Sequence, residues 1–465
     1  MSGEFANEIK RGNAEKGVRR LAYDALKAIT ANGAYANLAL KEILSGVEQK
    51  TASGVTALVY TALENVSYAD YLIAHYAKGR VQGSIKNVLR IGITELLFMA
   101  VPDHAAVNGA AELTRAIGKA KLCGFVNGVL RSIARDNAEN RLFPLPAEPI
   151  ERLCVRYGIP KGLAGEYVRG FGLEFTQDML RSRAHELTVR AQYPYTTDEL
   201  KAELDKQGVA YSIGKYDKNA LVLNGGMNIA QWRLFKQGKL AVQSESAMLT
   251  VRACCVLEGM NVLDTCAAPG GKSAYLASLM GNTGSITAWE LHEHRTELMR
   301  AALDRLGVKN CACKTVDASS AQDSGERYDI VLCDAPCSGL GGGGKPDALI
   351  RRTDEGIAEI ADIQLKILLN AARFVKDGGA LVYSTCTVSH RENEGNIERF
   401  LEKRPDFKIE SLDWLLGGEN GDAAQTETTA LCEKRGKLGI QLFSNIDGMD
   451  GFYIARLIKT KANAK

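Results

Sequence analysis

"NVLDTCAAPGGKSAYLASLM", residues 261–280, is the stretch that decides the architecture of this chain. A short apolar run ends on Asp264. A loop of small residues follows (Cys266, Ala267, Ala268, Pro269, Gly270, Gly271), and Lys272 and Ser273 open a helical pattern. Strand, loop and helix in this order form the repeating unit of open parallel sheets, whose ligands bind beyond the carboxyl ends of the strands. Small residues let the backbone come close to such a ligand. The spacing fits neither G-x-G-x-x-G nor G-x-x-x-x-G-K-[ST], which disfavours a dinucleotide site and a triphosphate-binding loop.

Outward from this stretch the rhythm repeats. Strand candidates are "SITAW" (285–289), "ACKTV" (312–316), "DIVLC" (329–333) and "ALVYS" (380–384), with helical segments between them. The alternation predicts a Rossmann-like α/β domain with strand order 3-2-1-4-5. The second strand is expected to end at Glu290, the third at Asp317 and the fourth at Asp334. With Asp264, four acids would border one crevice. Acids repel phosphates but accept hydrogen bonds from ribose hydroxyls. The set therefore suits a nucleoside without phosphates, and S-adenosylmethionine fits that description. The end of the domain, "IQLFSNIDGMDGFYIARLI" (440–458), reads as two strands joined by an Asp/Gly-rich turn, an antiparallel edge.

Upstream, residues 15–136 carry apolar stripes at helical spacing, beginning with Val18, Leu21, Ala22, Ala25, Leu26 and Ile29. They predict an all-α domain of five to seven helices. "NRLFPLPAEP" (140–149) reads as a linker. Residues 150–237 mix short helices with strand candidates "LTVRAQY", "VAYSIGK" and "NALVLNG", a small α+β domain. Three domains are expected, at 1–145, 146–237 and 238–465.

The chain has 465 residues, 46% of them hydrophobic and 24% charged, as in globular proteins. Its net charge of +3 is unevenly placed. Residues 1–145 hold 18 Lys and Arg against 13 Asp and Glu, which hints at an acidic partner there. The start has no apolar signal-peptide core, and no apolar run approaches roughly 18 residues. A cytoplasmic protein with free thiols and no membrane partner is expected. The 11 cysteines lack C-x-x-C spacing, so no metal site is expected.

Two cysteines stand just beyond strand ends: Cys337 in "DIVLCDAPCSGLG" (329–341) and Cys386 in "LVYSTCT" (381–387). Free cysteine is usually a small buried hydrophobe. That reading is taken for Cys123, Cys154, Cys254, Cys255, Cys311, Cys313, Cys333 and Cys432.

"CAAPGGK" (266–272), "DAPCSGLG" (334–341) and "YSTCT" (383–387), in this order, resemble the Sun family of RNA cytosine-5 methyltransferases. The whole chain resembles the RsmB type, which methylates small-subunit ribosomal RNA and carries a NusB-like helical domain at its N-terminus. "VPDHAAVNGAAELTRA" (101–116) and "FVNGVLRSI" (125–133) resemble signatures of that domain, and "DGMDGFYIARL" (447–457) resembles the C-terminal strands. The resemblance implies that Cys386 is the nucleophile and that Cys337 assists product release. It implies a cofactor site formed by Cys266, Ala267, Ala268, Pro269, Gly270, Gly271 and Lys272 with Glu290, Asp317 and Asp334. S-adenosylmethionine would be the cofactor and ribosomal RNA the partner of a monomeric enzyme.

The chemistry asks for such groups: cytosine C5 is a weak nucleophile until a thiolate adds at C6. Asp334 could hydrogen-bond the base or stabilise protonation at its N3. "SHRE" (389–392) reads as a capping box that would start a helix and fix the nucleophile's loop. Where the family often has a basic pair, this chain has "GGGGK" (341–345), leaving Lys345. Arg190 in "LTVRAQ" is a candidate RNA contact. Two other readings are a small-molecule methyltransferase, which gives Cys386 no use, and a non-catalytic RNA-binding factor, which gives neither cysteine a use.

Overall fold

The computed structural model describes residues 16–182, 187–224, 229–341, 352–417 and 429–461. Two compact units are present, one reaching Val168 and the other comprising most of the chain from Arg169 onward.

The first unit is helical. Seven α-helices run from Val18–Asn32 to Cys123–Ala138 among its described residues, as the stripes predicted. Leu21, Leu26, Leu58, Leu63, Leu89 and Leu130 are fully or almost fully buried in one core. Within it Arg19 Nε donates to both carboxylate oxygens of buried Glu95, at 2.8 and 2.9 Å. The expected linker has no regular structure but is pinned back: Tyr71 donates to the Pro144 carbonyl, and Phe143 stacks on His75.

The second unit contains two sheets. The smaller comprises β1 (Leu187–Ala191), β2 (Tyr211–Ile213), β3 (Leu221–Leu223) and β4 (Leu240–Val242), all antiparallel in the order β2-β3-β1-β4. Three follow the sequence candidates, and β4 is an addition.

The larger sheet holds β5 (Asn261–Asp264), β6 (Ser285–Glu290), β7 (Cys311–Thr315), β8 (Tyr328–Asp334), β9 (Val375–Thr385), β10 (Phe407–Glu410), β11 (Ile440–Leu442) and β12 (Phe452–Lys459). The order is β10-β12-β9-β8-β5-β6-β7, with β11 also on β12. β5 to β9 are parallel and realise the predicted 3-2-1-4-5 order. β12 runs antiparallel to β9, β10 and β11, so the predicted antiparallel edge is present. Between β11 and β12 lies one helical turn, Ser444–Asp447, rather than a bare turn.

Side chains alternate across a strand. Ile330 and Leu332 of β8 therefore join one core with Met248 and Leu276, while Val331 and Cys333 join the opposite core with Leu368 and Phe400. Both faces are covered, so the strands are apolar runs that end where they reach the rim.

Two expectations need correction. The segment 389–392 does not supply the cap of a helix: the helix begins at Glu394, its N-cap residue is Asn393, and that side chain makes no capping bond. The Glu392 carboxylate is instead committed to Ser338 N–H and Gln364. Cys255 is exposed rather than buried, at a left-handed φ of 49° just beyond the helix Glu245–Ala253.

Candidate active site

β5 delivers the chain into the loop 265–270. The Ala267 N–H donates to the Trp289 carbonyl of β6, and Gly270 N–H closes the loop onto Ala267 O at 2.7 Å. Gly270 adopts φ 98°, and a Cβ there would press on Met299 and Leu303. Glycine is needed at that position because L side chains disfavour left-handed backbone. A Cβ on Gly271 would meet nothing within 4 Å, so the space above this helix start is open. Cys266 packs partly against the core, and burial drives its thiol well above the ordinary range.

Acids stand around this loop in unequal states. Asp264 is fully buried; Ser273 donates to one of its oxygens at 2.7 Å, while the other has no hydrogen-bond partner. Burial pushes its carboxyl up to about 6. Glu290 ends β6 as predicted and is 4% exposed. One of its oxygens accepts from His292 N–H and Arg295 Nη1, both at 3.1 Å, and Arg295 also reaches the Ala268 carbonyl. Asp317 lies two residues past the end of β7 rather than on it. Its exposed carboxylate accepts from Ser319 and Ser320, and these bonds hold it below the usual range.

Asp334 ends β8 beside Ser384 of β9. Ser384 Oγ donates to one of its oxygens at 2.7 Å, and Lys272 Nζ donates to the other at 2.6 Å. Burial opposes the charge on Lys272, but the charge and hydrogen bond of Asp334 raise the amine above its ordinary value. The same ammonium lies 5.4 Å from the centre of the Phe452 ring.

Beyond these strand ends the two cysteines meet. The sulfurs of Cys337 and Cys386 lie 3.0 Å apart, and Cys386 is exposed. The hydrogen bond to Cys386, and then burial, raise the Cys337 thiol well above its ordinary value, favouring its neutral form. Cys333, four residues earlier, is buried in the core as expected.

The residues present suit S-adenosylmethionine. Open space lies over Gly271 at the helix start, and the next strand ends in Glu290, a carboxylate of the kind that accepts from ribose hydroxyls. The loop carbonyls and the flanking acids suit a cationic ligand, since carboxylates accept hydrogen bonds and balance positive charge.

Arg190 has a different place from the one expected. It is 0% exposed and therefore does not present its guanidinium to RNA. Its nitrogens donate to Gln243 Oε1 (2.6 Å), Gln192 Oε1 (2.7 Å), the Ala191 carbonyl and Gly271 O (3.3 Å), and the group sits 4.5 Å from the Tyr275 ring centre. Burial lowers its pKa to about 10. Arg190 thus ties the small sheet to the start of the cofactor-side helix. Its position between Val189 and Ala191 in an apolar strand was the available signal. Arg295 and Ser273 are further supports that the motifs did not reveal. Lys345 and the glycines at 342–344 lie outside the described residues.

A family model described as 16S rRNA methyltransferase RsmB/F matches residues 256–458, and a NusB family model matches residues 16–135. The chain is 34% identical over 454 residues to the probable ribosomal RNA small subunit methyltransferase B of Bacillus subtilis (strain 168), covering 95% of this chain and 98% of that protein. It is 29% identical to ribosomal RNA small subunit methyltransferase B of Shewanella oneidensis, covering 95% and 99%. A crystal structure of a protein named PH0851 superposes with a TM-score of 0.76 at 23% identity, over 95% of this chain and 99% of that one, which shows the shared fold. A methyltransferase homolog from Pyrococcus horikoshii gives 0.56 at 27% identity, over 68% of this chain and all of that one.

Proposed function

Because the chain belongs to the 16S rRNA methyltransferase family RsmB/F, we propose that it methylates C5 of a cytosine in small-subunit ribosomal RNA through a covalent bond between Cys386 and C6. The observation that carries this reading is the meeting of two cysteine sulfurs, 3.0 Å apart, beside the Lys272–Asp334 pair at the rim of the parallel sheet.

S-adenosylmethionine supplies an electrophilic methyl group, held by the loop 266–272 with Glu290, Asp317 and Asp334. The protein supplies the rest. Cys386, exposed at the end of β9, adds as thiolate to C6 and makes C5 electron-rich. Asp334, paired with Lys272, has lone pairs left to accept a hydrogen bond from the base. Cys337 is held neutral, which makes it unsuited to attack and suits it to give its proton to the departing Cys386 sulfur as the C6–S bond breaks, while the C5 proton passes to solvent. The excess of basic residues in 1–145 supports a role for that segment in holding RNA.

The test is a denaturing gel with labelled small-subunit RNA and S-adenosylmethionine. Cys337→Ala should form a denaturant-resistant protein–RNA adduct that persists. Cys386→Ala should form none and lose turnover. Adduct from Cys386→Ala alone would reverse the two roles, and turnover surviving in both variants would eliminate the covalent mechanism.

A further inference from the structure

The loops bearing the two sulfurs come from different strands, so something must fix their separation. Two consecutive side chains after β9 touch both loops. Glu392 is 0% exposed, and its carboxylate oxygen accepts from the Ser338 backbone N–H at 2.8 Å, the residue next to Cys337. The same oxygen accepts from Gln364 Nε2 at 2.9 Å, and that nitrogen also lies 2.9 Å from the Pro336 carbonyl, on the other side of Cys337.

Asn393 is 2% exposed and treats Cys386 in the same way. Its Oδ1 accepts from Thr385 Oγ1 at 2.5 Å, and its Nδ2 donates to the Thr387 carbonyl at 3.0 Å. Gln441 holds the second clamp from behind, accepting from Asn393 at 2.8 Å and donating to Thr387 O at 3.3 Å. Ser338 Oγ donates to Thr387 Oγ1 at 3.0 Å and joins the loops directly.

We propose that Glu392 and Asn393 act as one brace that positions Cys337 and Cys386 against each other. They are positioning residues, since neither is placed in contact with a reacting atom. A peptide bond links the two clamps, so the loops cannot separate without breaking hydrogen bonds in a buried network. The hydrogen bond to Cys386 and burial favour the neutral Cys337 thiol most, and the Glu392 charge adds to them. The assignment of what the cysteines do rests on the methyltransferase reading above, but their chemical reactivity does not.

The test uses the full chain and iodoacetamide, with alkylation at Cys337 and Cys386 followed across pH by peptide mass spectrometry. Glu392→Gln keeps an acceptor for Ser338 N–H and removes the charge. The midpoint for Cys337 alkylation should then fall by about half a pH unit or more. Asn393→Ser cannot span Thr385 and Thr387. It should lower kcat for methyl transfer at least about tenfold, with S-adenosylmethionine affinity within about twofold of the parent. An unshifted alkylation profile in folded Glu392→Gln overturns the electrostatic role. Unchanged kcat in Asn393→Ser overturns the positioning role, as does a loss of kcat matched by loss of cofactor binding. If Glu392→Gln does not fold, Asn393→Ser decides alone. A shifted Cys337 alkylation profile in Glu392→Gln, in a protein whose parent methylates no cytosine, would sink the functional reading and leave the brace standing.

Discussion

Asp264 illustrates how one residue behind the cofactor loop couples folding to pH. Its folded pKa of about 6 lies above the ordinary carboxyl value, so the fold favours the neutral form. No cost arises below about pH 4, where folded and unfolded chains are both protonated. Between about pH 4 and 6 the unfolded chain ionises while the fold keeps its proton, which takes away up to about 3 kcal/mol, at 1.36 kcal/mol per unit, before the loss levels off. Asp264→Asn keeps the acceptor for Ser273. Its unfolding free energy relative to the parent should therefore rise between pH 4 and pH 7 in urea titrations read by tryptophan fluorescence. Trp232, Trp289 and Trp414 all lie after residue 169, so the signal reports the unit that contains the site. A flat difference across that range would remove the buried-acid account. Glu290 gives a second prediction. If it accepts from ribose hydroxyls, Glu290→Ala should weaken S-adenosylmethionine by about 1.5–3 kcal/mol, as for other hydrogen bonds to charged groups. Unchanged calorimetric affinity would sink that assignment.

Among elements, the loops after β8 and before β12 cross at two glycines. Gly451 N–H donates to Gly341 O, and a Cβ on Gly341 would collide with the Gly451 carbonyl and approach Cys386 O to 2.8 Å. Gly341→Ala should thus displace the nucleophile's loop and cost about 1–3 kcal/mol of overpacking. Methyl transfer should fall more steeply than the melting temperature; an active, well-folded variant would show that the crossing does not set the sulfur. Elements of this sheet were legible because their apolar runs are bounded by Asp264, Glu290 and Asp334, where alternation between buried faces stops at the rim. The brace was not legible. Glu392 and Asn393 look like capping residues in a polar segment, and only their long-range partners at 336–338 and 385–387 reveal what they hold. Arg190 was misread for a related reason: the family resemblance of "LTVRAQ" suggested an RNA contact, whereas four acceptors and Tyr275 satisfy it in the interior.

For the whole molecule, the family match and the sequence resemblance agree from the helical unit to the last strands, while the placement of the RNA is carried by neither. The basic excess in 1–145 predicts that a 146–465 fragment binds substrate RNA more weakly than the full chain, by about tenfold or more at low salt, with a shallower dependence on salt. Filter binding at two ionic strengths decides this, and equal slopes would leave the helices without a phosphate-contacting role. No described helix is long and apolar enough to cross a membrane. Arg190 also bears on how such chains can be recombined. Its acceptors come from β1, from the segment after β4 and from Gly271 at the cofactor loop. A chimera with its crossover between residues 193 and 240 would inherit Arg190 from one parent and Gln243 from the other. Unless both parents carry the same partners, a guanidinium would be stranded in the interior. Viable shuffled enzymes should therefore break before residue 187 or exchange the small sheet and the cofactor loop as a single inherited block.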